Sequence, residues 1–262
     1  MYPEFETRTS YKYLKQVISA LNGPICILGG WAAFLHVNQN FQRAQGRPYL
    51  GSRDIDLGFH LDNNASVKQM KESVLAKSLD ILQNKLKFEP VSFRLLKEIH
   101  TETEEEISNN QIIPAHFIFP MYVDVLVDNI PKKFKEIFHF QPADEPLLSF
   151  VFKDKKYRDE IKELSKRLWL PKPELIIATK LNALTLRDKE HKKIKDLCDI
   201  FALLWYSKEM PQELCNKMLQ FLKLQNIRKI IKTITQKDYQ KISIQLAHTP
   251  EEIRRVMELM NM

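Results

Sequence analysis

Hydrophobic and polar positions alternate with two different periods along the chain, and the switches between them lay out its elements. Residues 11–21 carry helical spacing, and the short apolar run Ile25, Cys26, Ile27, Leu28 reads as a buried strand that leads into the Gly29-Gly30 turn. A second helix is expected from near Trp31. Residues 54–59 alternate as a strand does, and residues 66–85 repeat Val67, Met70, Val74, Leu75, Leu79 and Leu82 at helical intervals. Further strands are expected at 91–99, 116–119 and 122–127, with the acidic loop 102–106 among them. That order predicts a sheet of mixed direction.

From Pro171 onward the pattern is helical. Pro173 and Glu174 suit a first turn before the apolar positions of 175–184, and later helices are expected over 192–206, 211–224 and from Pro250 to the end. Thr249 and Glu252 form a capping-box pattern around Pro250. The expected fold class is therefore α/β (α+β): a mixed sheet with flanking helices followed by a C-terminal helical domain. The corresponding division is 1–150 for a catalytic domain and 151–262 for a mainly helical, basic, acceptor-binding domain, joined near 141–149. There is no internal repeat and no low-complexity tract.

Composition changes this picture in three places. With 44% hydrophobic and 28% charged residues, the 262-residue chain is far from the composition of disordered segments. Its three cysteines, Cys26, Cys198 and Cys215, form no CxxC or Cys/His cluster, so neither a disulfide framework nor a zinc site is expected. No apolar stretch approaches membrane-spanning length, and the first ten residues carry Glu4, Glu6 and Arg8, so the chain is read as cytoplasmic with no membrane partner.

The net charge of +7 is uneven. Residues 1–150 hold 16 Lys/Arg against 18 Asp/Glu, near −2, whereas residues 151–262 hold 24 against 15, near +9. An acidic part beside a basic one suits a protein whose carboxylates grip metal while its Lys and Arg face a polyanion; lysines that merely solvate helix faces are the plain alternative.

All six glycines lie at or before residue 58, which marks the first quarter as the place for a site. Asp54 and Asp56 stand two apart in a strand and so project to one side, while Ile55 and Leu57 face the core. Asp124 sits within the apolar run Tyr122-Val123-Asp124-Val125-Leu126, where a charge is costly unless paired or metal-bound. A strand beside that of Asp54 and Asp56 would bring Asp124 to the same ions and give three carboxylates for two Mg²⁺ ions. One lowers the pKa of an attacking hydroxyl and the other neutralises a nucleoside triphosphate and its pyrophosphate leaving group. Hairpin capping by Asp54 and Asp56, a lysine partner for Asp124 and glycines that only make turns are the plain alternatives. Asp128 is the backup ligand. The N–H groups of Gly29-Gly30 and the start of the following helix suit the β- and γ-phosphates, with Ser52 adding a hydroxyl.

Strand, Gly-Gly, helix, then S-x-D-x-D, then a third Asp on a later strand resembles the nucleotidyltransferase fold shared with polymerase beta and the aminoglycoside nucleotidyltransferases. Residues 180–187 (KLNALTLR) match K-x-x-A-L-x-x-R, and 196–200 (DLCDI) match D-x-x-D-h; both resemble the AbiEii toxin family of nucleotidyltransferases. The similarity runs from about Cys26 to Leu204. Where the family often places Ser or Thr after the glycine pair, this chain has Trp31, read here as a core residue.

Lys180, Leu184 and Arg187 share one helical face able to hold phosphate, and Asp196 and Asp199 share a face of the next helix. An interhelical salt bridge is the plain alternative. The resemblance implies that Lys180 and Asp199 are functional, Lys180 and Arg187 toward the nucleotide and Asp199 toward an acceptor hydroxyl. It further implies Mg²⁺-dependent transfer of a nucleoside monophosphate from an NTP to a hydroxyl acceptor, in a toxin with a cognate antitoxin; some relatives modify tRNA ends, which makes RNA an acceptor candidate. The alternatives are a small-molecule, antibiotic-type nucleotidyltransferase and a catalytically silent nucleotide-binding regulator. The seven histidines show no metal-ligand spacing and are assigned no role.

Overall fold

The computed structural model describes residues 2–92, 94–108, 111–161 and 168–261. Its elements in chain order are α1 (Glu4–Ala20), β1 (Ile25–Ile27), α2 (Gly29–Gln45), β2 (Ile55–Phe59), α3 (Val67–Lys71), α4 (Val74–Asp80), β3 (Glu89–Val91), β4 (Arg94–His100), β5 (Ile118–Val127), α5 (Phe134–Phe138), β6 (Ala143–Asp144), α6 (Leu148–Lys153), β7 (Arg158–Glu160) and β8 (Leu168–Pro171). Five helices and a final α12 complete the chain: α7 (Pro173–Leu184), α8 (Glu190–Tyr206), α9 (Pro211–Met218), α10 (Leu224–Ile231), α11 (Gln236–Leu246) and α12 (Pro250–Glu258).

Two compact units are built from these, each discontinuous in sequence. A sheet unit combines Tyr2–Leu28 with Gly51–Leu170, and a helical unit combines Gly29–Leu50 with the residues from Pro171 on. The class is mixed α/β, as the alternation of periods predicts.

Within the sheet unit the strand order among the described residues is β3-β4-β5-β2-β1-β8-β7, with β6 beside the end of β5. Directions are mixed: β4 is antiparallel to β5, β5 parallel to β2, β2 antiparallel to β1 and β1 parallel to β8. Burial follows the period of two. Ile55, Leu57 and Phe59 of β2 and Phe119, Met121, Val123, Val125 and Val127 of β5 are buried, while Tyr122, Asp124 and Leu126 on the other face of β5 are half-buried. That half-buried face is where a charged group can keep partial contact with water.

Several elements differ from the sequence pattern, among them the helix expected over 211–224, which ends at Met218. The stretch 66–85 is not one helix. Ser66 and Gln69 form a capping box on α3, and Ser73 starts α4 by accepting from the Ala76 N–H, so a side-chain acceptor resets the helix although the apolar spacing continues. The two strands expected at 116–119 and 122–127 are one strand, β5, with Pro120 inside it. Around Pro120 the strand pairs with β4 alone, since the register with β2 begins at Val123, so the missing proline N–H has an open side. The strand expected at 91–99 is a hairpin, β3 and β4, with Val91 opposite Arg94.

Within the helical unit α2 and α7 pack on α8, as do α11 and α12. Phe41, Ile177, Leu181, Leu197, Cys198 and Phe201 are fully buried there. Trp31 is buried too, as expected of a core residue. Gly46 takes φ +69° just past α2 and donates its N–H to the Gln42 carbonyl, a left-handed stop that suits glycine. Thr249 and Glu252 make the capping box on α12 that the sequence predicts. All three cysteines are buried and free. No helix among the described residues is long and apolar enough to cross a membrane.

Candidate active site

The acidic residues of the sheet unit come together through strand register. Asp56 on β2 is the direct partner of Asp124 on β5, and Asp124 is in turn the direct partner of Arg94 on β4. A row of acid, acid, base therefore crosses three adjacent strands, which lie roughly 4.8 Å apart. Asp54 precedes Asp56 by two positions, at the entrance to β2. The three acids that the spacing singled out are thus neighbours.

Arg94 completes the cluster, and nothing in the spacing of the acids pointed to it. Its Nε donates to Asp124 Oδ1 at 2.8 Å and its Nη2 to Asp124 Oδ2 at 2.5 Å, a bidentate fork. The same Nη2 lies 3.6 Å from Asp54 Oδ2. The guanidinium also sits 4.0 Å from the centre of the Tyr122 ring, on the face of β5 that bears Asp124. Burial opposes the charge on Arg94, but its bonds to Asp124 and the fields of Asp124, Asp54 and Asp56 outweigh that and hold its pKa above the ordinary arginine value.

A fourth carboxylate flanks the cluster. Glu6, in the first turn of α1, lies 3.6 Å from Arg53 Nε, and Arg53 packs over the rings of Tyr2 and Phe119. Burial raises the Glu6 pKa, Arg53 lowers it, and the charge of Asp54 adds to the rise; the net direction is upward. Ser52 is buried two residues before Asp54. Leu28, which leads from β1 into α2, donates its N–H to the Asp56 carbonyl. Gly29 follows at φ +61°, a conformation that favours glycine, and starts α2 together with Gly30.

The backup ligand Asp128 is engaged elsewhere. Its buried carboxylate accepts from the Leu61 N–H at 3.0 Å and meets His60 Nδ1 at 2.5 Å. His60, which sequence spacing left without a role, stacks on Phe152.

As donors, Asp54, Asp56 and Asp124 fit Mg²⁺, which takes hard oxygen ligands. As they stand, both oxygens of Asp124 face the Arg94 guanidinium, and among the described residues no three His, Cys, Asp or Glu side chains close around a metal-sized point.

The remaining site candidates form a second cluster inside the helical unit, where α7 crosses α8. Lys180 Nζ lies 2.9 Å from Asp196 Oδ1 and 2.7 Å from Asp199 Oδ2. Arg187 Nε meets Asp196 Oδ2 at 2.6 Å, and Lys195 Nζ meets Asp199 Oδ1 at 2.5 Å. Tyr49 donates its hydroxyl to Asp199 Oδ1 at 2.7 Å. Burial alone would pull Lys180 down, yet Asp196 and Asp199 hold its ammonium well above the ordinary lysine value. Burial pushes Asp196 up, and Lys180 and Arg187 more than reverse this, leaving it below the usual carboxylate range. Burial, reinforced by the charge of Asp199, raises Tyr49. Tyr49 and Lys195 lie outside the motifs, and the only signal for them was a Lys four residues before Asp199 on one helix.

No family model matches the chain and no curated protein matches it. Among solved structures it is similar to the crystal structure of an antigenic nucleotidyltransferase-like protein from Paracoccidioides brasiliensis, at 16% identity and a TM-score of 0.38, over 87% of this chain and 92% of that one.

Proposed function

We propose that the chain is a nucleotidyltransferase that moves a nucleoside monophosphate from an NTP to a hydroxyl acceptor and releases pyrophosphate. The observation that carries this reading is the pairing of Asp56 with Asp124 across β2 and β5, with Asp54 two residues before Asp56. In the proposed reaction the acceptor oxygen bonds to the α-phosphorus as the bond from that phosphorus to the oxygen bridging toward the β-phosphate breaks. Pyrophosphate leaves with that bonding pair, and the acceptor's proton passes to a carboxylate, for which Asp124 is the proposed base. Mg²⁺ ions held by Asp54, Asp56 and Asp124 would supply charge neutralisation for the triphosphate and a lowered pKa for the attacking hydroxyl.

The AbiEii-like segments 180–187 and 196–200 make RNA, tRNA ends included, the proposed acceptor and a cognate antitoxin the proposed partner. The excess of basic residues after position 150 supports a polyanionic acceptor. The N–H groups of Gly29-Gly30, and Ser52, stay proposed phosphate contacts on the sequence pattern alone. Lys180 and Arg187 serve phosphate in this reading only by leaving Asp196, the carboxylate they share.

The test is incubation of the protein with Mg²⁺, total RNA and each labelled NTP in turn, with Asp54→Ala as control. Label is expected in RNA with one or more nucleotides and only with the unaltered protein. Absence of both RNA labelling and pyrophosphate release with every nucleotide would overturn the reading.

A further inference from the structure

Asp124 is asked to serve two cations. Both of its oxygens accept from Arg94, while the proposed reaction, on which this inference rests, needs the same carboxylate for a divalent ion. A fork of two hydrogen bonds at 2.8 and 2.5 Å engages both oxygens of the carboxylate. An ion seated there would stand beside a guanidinium of like charge. Guanidinium and ion therefore compete for the same two oxygens of Asp124.

Arg94 is also more than a passing surface contact. Its side chain is 19% exposed, it lies on the Tyr122 ring, and it reaches a second acid, Asp54, at 3.6 Å. Strand pairing fixes its backbone directly opposite Asp124, so the guanidinium stays local when it lets go. A planar guanidinium released beside a triphosphate has a natural new partner, because phosphate oxygens match its fork as well as a carboxylate does.

We propose that Arg94 is a built-in competitor of the divalent ion at Asp124, a positioning residue that offsets part of the charge of the acidic cluster until nucleotide arrives and then passes to the triphosphate. Metal and nucleotide therefore load together. Three crowded carboxylates are held against mutual repulsion in the resting protein, and stray divalent ions are kept off it.

The experiment measures Mn²⁺ binding to the full chain without nucleotide, by the loss of the free-ion paramagnetic resonance signal, in the unaltered protein, Arg94→Gln and Arg94→Lys. Circular dichroism melts check that each variant is folded. Arg94→Gln, which removes the competing charge, is expected to bind Mn²⁺ at least about tenfold more tightly than the unaltered protein. Arg94→Lys keeps a charge but loses the fork and is expected to fall between them. With a non-hydrolysable NTP analogue present, the unaltered protein is expected to gain Mn²⁺ affinity by a larger factor than Arg94→Gln does. Equal or weaker Mn²⁺ binding by both folded variants, with the Asp54→Ala control showing that the ion sits at the cluster, overturns the role of Arg94 and leaves the nucleotidyltransferase reading standing. No Mn²⁺ binding by any form, with or without the analogue, overturns both. If Arg94→Gln does not fold, the Arg94→Lys comparison decides alone: affinity no higher than that of the unaltered protein sinks the proposal.

Discussion

Asp56 and Asp124 are direct cross-strand partners on the parallel pair β2 and β5, so two acids 68 positions apart in sequence stand side by side on one sheet. Like charges so placed are destabilising unless a cation compensates them. In this protein Arg94, the partner of Asp124 on the other side, supplies that compensation.

Unequal partnership separates two substitutions that catalysis alone would not. Asp54→Asn and Asp124→Asn are each expected to lower nucleotidyl transfer by roughly 10²- to 10³-fold, the scale for removing one preorganised charge from a transition state. Only Asp124→Asn breaks a bidentate bond to Arg94, and it is expected to destabilise the fold by about 1.5–3 kcal/mol. Asp54, 3.6 Å from the same guanidinium, leaves a relieved pair behind and its loss should shift stability little. Urea unfolding of both variants beside their activity checks this; equal destabilisation would contradict it.

Gly58 is a packing prediction on the same strand. A Cβ there would meet Leu148 side-chain carbons at 2.9 and 3.0 Å and a Leu28 side-chain carbon at 3.0 Å. Gly58→Ala should therefore destabilise by about 1–3 kcal/mol through overpacking. Adding Leu148→Ala should recover part of that loss, because the two changes share one space. A double-mutant cycle with no coupling would show that the crowding is relieved some other way.

How much of this was legible in the chain depends on range. The period of two made Asp54, Asp56 and the inward Ile55 and Leu57 readable from six residues, and the apolar surroundings of Asp124 flagged it as a charge needing a partner. Which partner was not readable, because Arg94 reaches Asp124 only through the β4–β5 register, and those strands are joined across the long connection 101–117 that no local window spans. Helix breaks failed for the opposite reason: Ser73 resets the helix by one side-chain hydrogen bond while the apolar spacing runs on unchanged. In the helical unit the spacing of Lys180, Asp196 and Asp199 pointed to a cluster. That Tyr49 enters it is a matter of how the segment after α2 folds back onto α8, which composition does not encode.

The Asp196 network predicts acid sensitivity. Its pKa is lower in the folded protein than in the unfolded chain, so its ion pairs with Lys180 and Arg187 contribute stability above the unfolded carboxylate value, about 4, and that contribution is lost as pH falls toward the folded value. For Lys180 the shift is upward, so its share is complete below the unfolded lysine value, about 10.4, and fades only above it. The contribution of this network to the unfolding free energy should therefore be flat across neutrality and drop below about pH 4. Asp196→Asn should lose about 3–5 kcal/mol at pH 7 by leaving Lys180 underpaired, and should flatten the acid limb of the profile. A variant with the full acid slope would place the sensitivity in other carboxylates.

Tyr49 offers the sharpest test of whether the helical cluster is held by hydrogen bonding or by charge alone. Its hydroxyl donates to Asp199 Oδ1, an oxygen that also meets Lys195, while the other oxygen meets Lys180, and all of these groups are buried. Tyr49→Phe keeps the ring that packs edge-on against Phe41 and removes only the donor. If the hydrogen bond matters, the carboxylate loses one of its three partners in a site that water reaches poorly, and about 1.5–3 kcal/mol of stability should disappear with no change in the denaturant slope. Two lysines that balance Asp199 by themselves would instead leave Tyr49→Phe within about 0.5 kcal/mol of the unaltered protein. Measuring the same substitution in an Asp199→Asn background separates the cases, since a real bond shows as coupling of at least about 0.5 kcal/mol and a packing effect as simple additivity.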